Sequence, residues 1–234
     1  MISEATVIAV AAAIYLLDCV VLLERGQALW SRNALSFGSQ HYQMRGKVVA
    51  LLNPFTPFIA VFRTLPLFSA SSDLKISAAR RVVSPLPALS LLQLLLAFAA
   101  LPYCLYRAPG WPFFLFLVLT YVNTVVMLAL LWWRFRKSKL ATRPLLGLGF
   151  AWLVCLPLSV NAQRKAALAF DVGEDAREAI RSLPEPAQER ARSDLAAQIA
   201  EALQELEESD ERHGRLAELR RQLQLTPEAG HGRL

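Results

Sequence analysis

The sequence predicts an all-α membrane protein with four transmembrane helices, a candidate cytoplasmic β-hairpin and a helical C-terminal tail. Two observations predict this class. The 234-residue chain is 55% hydrophobic and only 19% charged, which is too apolar for an average soluble domain. Its apolar residues are concentrated in four runs, whereas residues 162–234 contain 15 of the 19 acidic residues. This uneven distribution excludes a single water-soluble globule, a disordered chain and a fibrous repeat.

Each apolar run was compared with the roughly 20 residues that a helix needs to cross a bilayer. The predicted spans are residues 5–23, 86–106, 111–133 and 145–160. The fourth is short and contains Gly147, Gly149 and Pro157. Only four residues separate the second and third runs, so these two spans form an antiparallel hairpin. Glu4 precedes the first run without any Lys or Arg, and no small-x-small site follows it, which favours a retained signal anchor over a cleaved signal peptide.

The orientation follows from the basic residues, because cytoplasmic loops collect Lys and Arg. Residues 24–84 contain eight of them and residues 134–144 contain five. With four spans, the N-terminus lies outside, the basic loops are cytoplasmic and the tail, residues 162–234, is periplasmic. If the fourth run does not cross, the tail is cytoplasmic. The 20 Arg and 5 Lys residues, with abundant Ala and Leu, suggest a GC-rich bacterium and its inner membrane.

The basic residues near the spans predict contact with anionic lipid headgroups, and their position also follows from topology alone. They are Arg45, Lys47, Arg80, Arg81, Arg134, Arg136 and Lys137. The chain has a net charge of +6, but residues 1–161 carry +10 and residues 162–234 carry −4. Because the positive charge flanks membrane spans, we expect no nucleic-acid partner.

The basic loop at residues 24–84 contains an apolar segment, residues 48–62, that Pro54 and Pro57 prevent from forming a continuous helix. It is predicted either to lie in the membrane interface or to form a buried loop of a small soluble lobe. Residues 27–33 and 40–52 have the composition of strands and are predicted to pair as a hairpin. Residues 74–83 are predicted to form a short helix capped by a preceding Ser or Asp.

The tail is rich in helix-favouring residues. A first short helix is predicted from Asp171 or Glu174 to Leu183, before Pro184 and Pro186, and a second over residues 187–225. The second helix is amphipathic, and its apolar positions are Leu195, Ile199, Ala202 or Leu203, Leu206, Leu216, Leu219 and Leu223. They predict either a coiled-coil-like surface for a protein partner or a second copy, or a helix folded back on its own protein. The stripe is too short for a confident coiled coil.

Residues with catalytic or metal-binding spacing are missing from the sequence. The three histidines have no second ligand at metal spacing, and no Walker A sequence, nucleophile elbow or dinucleotide-binding glycine motif occurs. The three cysteines lie in the apolar runs, which argues against a disulfide framework. The sequence therefore predicts no metal, no cofactor and no catalytic residue.

Polar residues within the predicted spans form a candidate intramembrane cluster. They are Asp18, Gln93, Thr120, Asn123 and Thr124. An ionisable residue inside a span is usually paired or functional. The cluster is interpreted either as a proton or substrate site or as hydrogen bonds that hold helices together, with Ala5, Ala9 and Ala13 as a small-residue packing face.

These features support a first hypothesis, a non-enzymatic integral membrane scaffold or assembly subunit that presents its helical tail to a partner. The alternative is a small oligomeric transporter or channel subunit that uses Asp18 and the polar residues of the third span. A membrane-embedded lipid-modifying enzyme is the third hypothesis.

Overall fold

The computed structural model describes residues 3–24, 27–32, 34–36, 43–44, 47–64, 75–107, 110–138, 143–173, 176–205 and 211–224. This part of the chain is mostly helical. The helices are α1 (Glu4–Asp18), α2 (Ile76–Val83), α3 (Pro87–Leu95), a π-helical turn (Leu96–Ala100), α4 (Leu101–Arg107), α5 (Trp111–Lys137), α6 (Arg143–Val154), α7 (Leu156–Ser159), α8 (Ala162–Leu168), α9 (Ala176–Arg181), α10 (Glu185–Glu205) and α11 (Glu211–Gln224).

Short strands form two small sheets. The strands are β1 (Val20–Leu23), β2 (Leu29–Trp30), β3 (Leu35–Ser36), β4 (Gln43–Met44), β5 (Lys47–Leu51), β6 (Phe62–Thr64) and β7 (Asp171–Val172). One sheet has the order β1-β5-β4 and is antiparallel. The other has the order β3-β2-β6-β7, in which β6 and β7 are parallel.

The predicted pairing of residues 27–33 with residues 40–52 is wrong in the described part of the chain. Strand β2 pairs with β3 and β6, while β5 pairs with β4 and β1. The longest ladder joins β1 to β5, with Val20 opposite Leu51 and Leu23 opposite Val48. Residues 20–23 belong to the first predicted span, and their apolar side chains, two of them β-branched valines, suit a strand equally well.

The first apolar run is therefore not one helix. Helix α1 begins after Ser3, whose side chain accepts a hydrogen bond from the Thr6 N–H, and ends at Asp18. Its 15 residues extend about 22 Å at the helical rise. The predicted span of residues 5–23 thus divides into a helix and strand β1.

Two helices are long and apolar enough to cross a membrane. They are Pro87–Arg107, which includes the π-helical turn, and Trp111–Lys137. Only 22% and 28% of their most apolar windows are buried, unlike the core helix of a soluble protein. They agree with the predicted second and third spans, although α5 continues one turn beyond residue 133. Gly110, with φ of 127°, precedes α5 in a conformation that a glycine adopts readily.

The fourth apolar run is interrupted. Helix α6 ends at Val154, Cys155 is extended, and α7 begins at Leu156. Pro157 explains the break, because a proline removes a backbone donor and clashes with the preceding helical turn. Helix α6 packs against α5, α7 against α1, and α8 against α2 and β6. A continuous fourth span of residues 145–160 is not formed.

The tail folds back on the rest of the chain. Leu195 and Ile199 of α10 share one hydrophobic core with Leu131 and Phe135 of α5 and with Trp30 of β2. The ring of Phe135 stacks on that of Phe170, with centroids 5.0 Å apart. The described tail thus forms one folded lobe with parts of the basic loop and one end of α5.

The predicted boundaries of the tail helices are described only in part. Asp171 belongs to strand β7 and the described first helix is Ala176–Arg181, while residues 174–175 lie outside the described chain. The second predicted helix contains α10 and α11, with residues 206–210 outside the described chain. Helix α2 begins after Lys75, which makes no side-chain capping bond. The Ser and Asp residues predicted to cap it, at 69 to 73, lie outside the described residues.

Candidate functional site

Helices α3, α5 and α7 meet at a buried network of polar side chains, the helix-interface cluster (Gln93, Asn123, Thr124 and Ser159). The Gln93 amide donates to Thr124 Oγ1 at 3.1 Å and to Ser159 Oγ at 2.6 Å. Asn123 Nδ2 donates to Gln93 Oε1 at 2.6 Å. The Gln93 side chain is therefore satisfied at both its oxygen and its nitrogen.

The hydroxyl groups near this cluster bond to their own helices. Thr120 donates to the Phe116 carbonyl at 2.7 Å, and Thr124 donates to the Thr120 carbonyl at 2.9 Å. Ser90 Oγ is buried without a partner among the described residues. Nearly every polar group here bonds to a neighbouring helix or to its own helix backbone. Such networks hold apolar helices in contact.

Asp18, predicted to join this cluster, is placed elsewhere. It ends α1, where Asp18 Oδ1 lies 2.7 Å from Lys165 Nζ and Oδ2 accepts from Asn161 Nδ2 at 3.1 Å. We call Asp18, Cys19, Asn161, Arg164 and Lys165 the boundary cluster, because they lie where apolar α1 gives way to the strands. The cluster joins the end of α1 to the segment that follows the fourth apolar run.

Arg164 is the most buried charged residue of the boundary cluster, with 2% of its surface exposed. Its Nη2 donates to the Asn53 carbonyl, to the Thr56 carbonyl at 2.5 Å and to Thr56 Oγ1 at 3.1 Å. Burial lowers the pKa of Arg164, yet a guanidinium stays protonated in proteins. The positive charge is held by the turn that contains Pro54, so Arg164 fixes this turn to α8.

The Cys19 thiol lies inside the boundary cluster and is fully buried. Asn161 Nδ2 is 3.5 Å and Arg164 Nη1 is 3.9 Å from Cys19 Sγ. Tyr15, one helical turn earlier, donates to the Pro54 carbonyl and packs its ring 4.9 Å from that of Phe98. These contacts give Tyr15 and Cys19 a role in attaching α1 to the turn.

A cleft of about 560 Å³ opens beside β1, next to the boundary cluster. Most of its lining residues are aliphatic, and the other two are the cations Arg63 and Lys165. The lining residues are Val20, Val21, Leu22, Arg63, Leu148, Lys165, Leu168 and Ala169. The cleft thus combines positive charge with an apolar surface.

The predicted headgroup residues lie mainly on the surface. Lys47, Arg80, Arg81, Arg136 and Lys137 are exposed and Arg134 is half-buried, whereas Arg45 lies outside the described residues. Three cations at the end of α5 lie over tryptophan rings. Arg134 and Lys137 are 5.5 and 5.6 Å from the Trp133 centroid, and Arg136 is 5.2 Å from that of Trp132. The aromatic and basic residues therefore share one level of the helix.

The predicted tail stripe faces the chain's own core. Leu195, Ile199 and Leu216 are buried, and Leu203 and Leu219 are half-buried against the same core. Leu206 lies outside the described residues, as does the side chain of Leu223. The described stripe is therefore occupied by contacts within the chain.

Five residues of the two clusters were not predicted from the sequence, namely Cys19, Ser159, Asn161, Arg164 and Lys165. The last four lie shortly after Pro157, where the composition changes from an apolar run to the charged tail. The one available signal was polar residues immediately after an apolar run. Within the described ranges, no group of three or more His, Cys, Asp and Glu residues could hold a metal ion.

Comparison of the chain with protein-family models, with curated proteins and with solved structures finds no match.

Proposed function

We propose that the protein is a non-enzymatic integral membrane scaffold or assembly subunit whose tail helices form a fixed platform next to its membrane spans. The main support is the core shared by Leu195 and Ile199 of α10 with Leu131 and Phe135 of α5. A helix attached in this way has a defined position relative to the membrane. It can offer its outer face to a partner while its inner face is occupied.

The same core supports a specific topology. Trp30 of the basic loop and Ile180 of the tail belong to it, so the loop and the tail lie on one side of the membrane. The excess of basic residues favours the cytoplasmic side of a bacterial inner membrane. In this arrangement the N-terminus is outside, α3–α4 and α5 cross as span-length helices, and the shorter α1 crosses where the bilayer is locally thinner. Helices α6 and α7 enter from the cytoplasmic side and α8 returns to it.

The polar clusters favour a scaffold over a transporter. Gln93 is saturated by bonds to other helices, and Asp18 is paired with Lys165. Groups that bind a transported ion or substrate have to exchange their partners during the cycle, whereas these groups hold helices and a turn in place.

The outer face of α10 is the surface we expect to meet a partner. Glu189, Arg190, Ser193 and Ala197 are exposed there, opposite buried Leu195. Charged side chains of both signs next to the small residues Ser193 and Ala197 suit a polar protein contact, in which charges determine the orientation of the partner.

The test is site-specific photo-crosslinking of the full-length protein in its native membrane. A photoreactive residue at Ser193 is expected to yield one discrete adduct, and an adduct of twice the chain mass would identify a second copy as the partner. Exposed Ser84, between α2 and α3, is the matched control and should yield none. No adduct at Ser193, the same adducts at both positions, or lipid turnover by the purified protein would overturn the proposal.

A further inference from the structure

The cleft beside β1 has two cationic side chains in an otherwise aliphatic wall. Lys165 of α8 and Arg63 of β6 both line it, with Leu148 and Leu168 among the apolar lining residues. Aliphatic walls lower the polarity next to the two cations, which strengthens their attraction for an anion relative to open water. The chemistry of the wall therefore suits a ligand with a negative head and an apolar body.

Strand β1 adds backbone groups to this wall. It is the last strand in the described order β1-β5-β4, so one edge pairs with β5 and the other is not part of that ladder. Three consecutive residues, Val20, Val21 and Leu22, line the cleft. An edge strand offers N–H donors, and the oxygens of a phosphate accept such bonds readily.

The outer face of the same sheet is apolar where a soluble sheet would be polar. Val20 and Leu22 are exposed, Leu51 opposite Val20 is 69% exposed, and Phe55 in the following turn is 81% exposed. An antiparallel sheet that faces water on one side alternates apolar and polar residues. This face continues into exposed Leu17 of α1, which indicates hydrocarbon chains as its surroundings.

The charges around the cleft favour an anion. Asp18 neutralises part of the Lys165 charge, but the Asp18 side chain is 9% exposed and that of Lys165 is 34% exposed. The carboxylate therefore lies on the inner side and positions the ammonium group, which remains accessible to a ligand. Arg63 also lines the cleft, and its guanidinium has five N–H donors, so it can bond a phosphate in addition to its contacts within the chain.

From this combination we propose that the cleft binds the phosphate of an anionic phospholipid. Lys165, Arg63 and the β1 edge hold the phosphate, and the acyl chains lie along Val20, Leu22 and Leu51. The site fixes a lipid at the junction between α1 and the folded lobe.

The experiment measures lipid binding to full-length protein in detergent micelles by native mass spectrometry, with phosphatidylglycerol and phosphatidylcholine as the probes. We expect preferential binding of phosphatidylglycerol. Lys165→Gln should weaken it about fivefold, the effect of losing one cation near an anionic headgroup. Arg220→Gln, at an exposed cation on α11 that does not line the cleft, is the matched control and should leave phosphatidylglycerol binding unchanged.

A second pair of variants separates binding from folding. Leu22→Lys and Leu22→Glu place opposite charges at the cleft, and both replace the same exposed leucine, so their effects on the stability of the fold should be similar. We expect Leu22→Lys to tighten phosphatidylglycerol binding and Leu22→Glu to weaken it. Equal binding of both lipids, or the same direction of change in both Leu22 variants, would overturn the site. Competition by inorganic phosphate at equal concentration would assign the cleft to free phosphate and overturn the lipid proposal.

Discussion

Lys165 Nζ lies 2.7 Å from Asp18 Oδ1 and thereby connects the last residue of α1 to α8. Asn161 donates to the other oxygen of the same carboxylate. The interaction joins the first apolar helix to the segment after the last apolar run. A carboxylate in an apolar run is costly unless it is paired, and Lys165 supplies the compensating charge.

The Asp18–Lys165 pair predicts an asymmetric response to removal of either charge. Lys165→Gln leaves a nearly buried carboxylate with only Asn161 and should lower the free energy of unfolding by about 2–3 kcal/mol. Asp18→Asn should cost only about 1 kcal/mol, because the freed ammonium group reaches solvent. Thermal unfolding in detergent, followed by tryptophan fluorescence, measures both. The double variant should lose less than the sum of the single losses, and strict additivity would contradict a direct interaction.

The hydrogen bonds of the helix-interface cluster are expected to contribute only modestly to the free energy of unfolding. Gln93→Leu removes three hydrogen bonds, but Asn123, Thr124 and Ser159 keep backbone carbonyl acceptors on the helices. We expect a loss of about 1 kcal/mol, the usual size of polar contacts between membrane helices. Unfolding in increasing concentrations of SDS is the measurement. Ser90→Ala, one turn earlier, should be neutral or stabilising because this buried hydroxyl lacks a described partner. If Ser90→Ala lowered the free energy of unfolding more than Gln93→Leu does, the stabilising role assigned to the Gln93 hydrogen bonds would be wrong.

The buried stripe of α10 predicts that the tail and the long apolar helix α5 unfold together. Leu195→Ala leaves a cavity in the shared core and should destabilise the protein by about 3 kcal/mol. Leu203→Ala, at a half-buried position, should lower the free energy of unfolding by clearly less than Leu195→Ala does. Differential scanning calorimetry of the full-length protein tests this. A tail that is presented freely would show a separate transition, and neither substitution would then alter the main one.

The contact between α5 and α6 predicts opposite outcomes at two glycines of one helix. A Cβ atom at Gly149 would lie 3.3 Å from Leu128 Cδ2, whereas none of the described atoms lies within 4 Å of a Cβ at Gly147. Gly149→Val should therefore destabilise the protein by about 1–2 kcal/mol through overpacking. Gly147→Val should be neutral or raise the melting temperature slightly, since valine favours a helix over glycine. Equal melting temperatures for the two variants would contradict close packing at Gly149.

Long apolar segments were the features best predicted from the sequence. The span-sized helices at Pro87–Arg107 and Trp111–Lys137 agree with two predicted runs within a few residues. Their length and composition alone favour a helix, because a backbone in hydrocarbon has to satisfy its hydrogen bonds internally. Gln93, Asn123 and Thr124 of the predicted polar cluster lie at one helix interface, because polar side chains on apolar helices find hydrogen-bond partners on each other.

Short and mixed segments were poorly predicted, because partners distant in sequence determine their structure. Val20–Leu23 forms a strand only because Lys47–Leu51 lies beside it. The sequence predicts Asp18 in one cluster with the polar residues of the other spans, because nothing in it indicates that Lys165 would reach Asp18. Arg164 resembled any cation at the start of a charged tail, and its burial depends on the turn at Asn53–Thr56.

The parallel pairing of β6 with β7 has a consequence for biosynthesis. Arg63 lies opposite Asp171 and Thr64 opposite Val172, so this sheet joins residues made early to residues made after the last apolar run. The sheet is therefore completed only after the intervening helices have left the ribosome and, in the proposed topology, have entered the bilayer. Until then the early strands need protection by the membrane surface or by a chaperone, and shortening the chain before Asp171 would leave them exposed to aggregation.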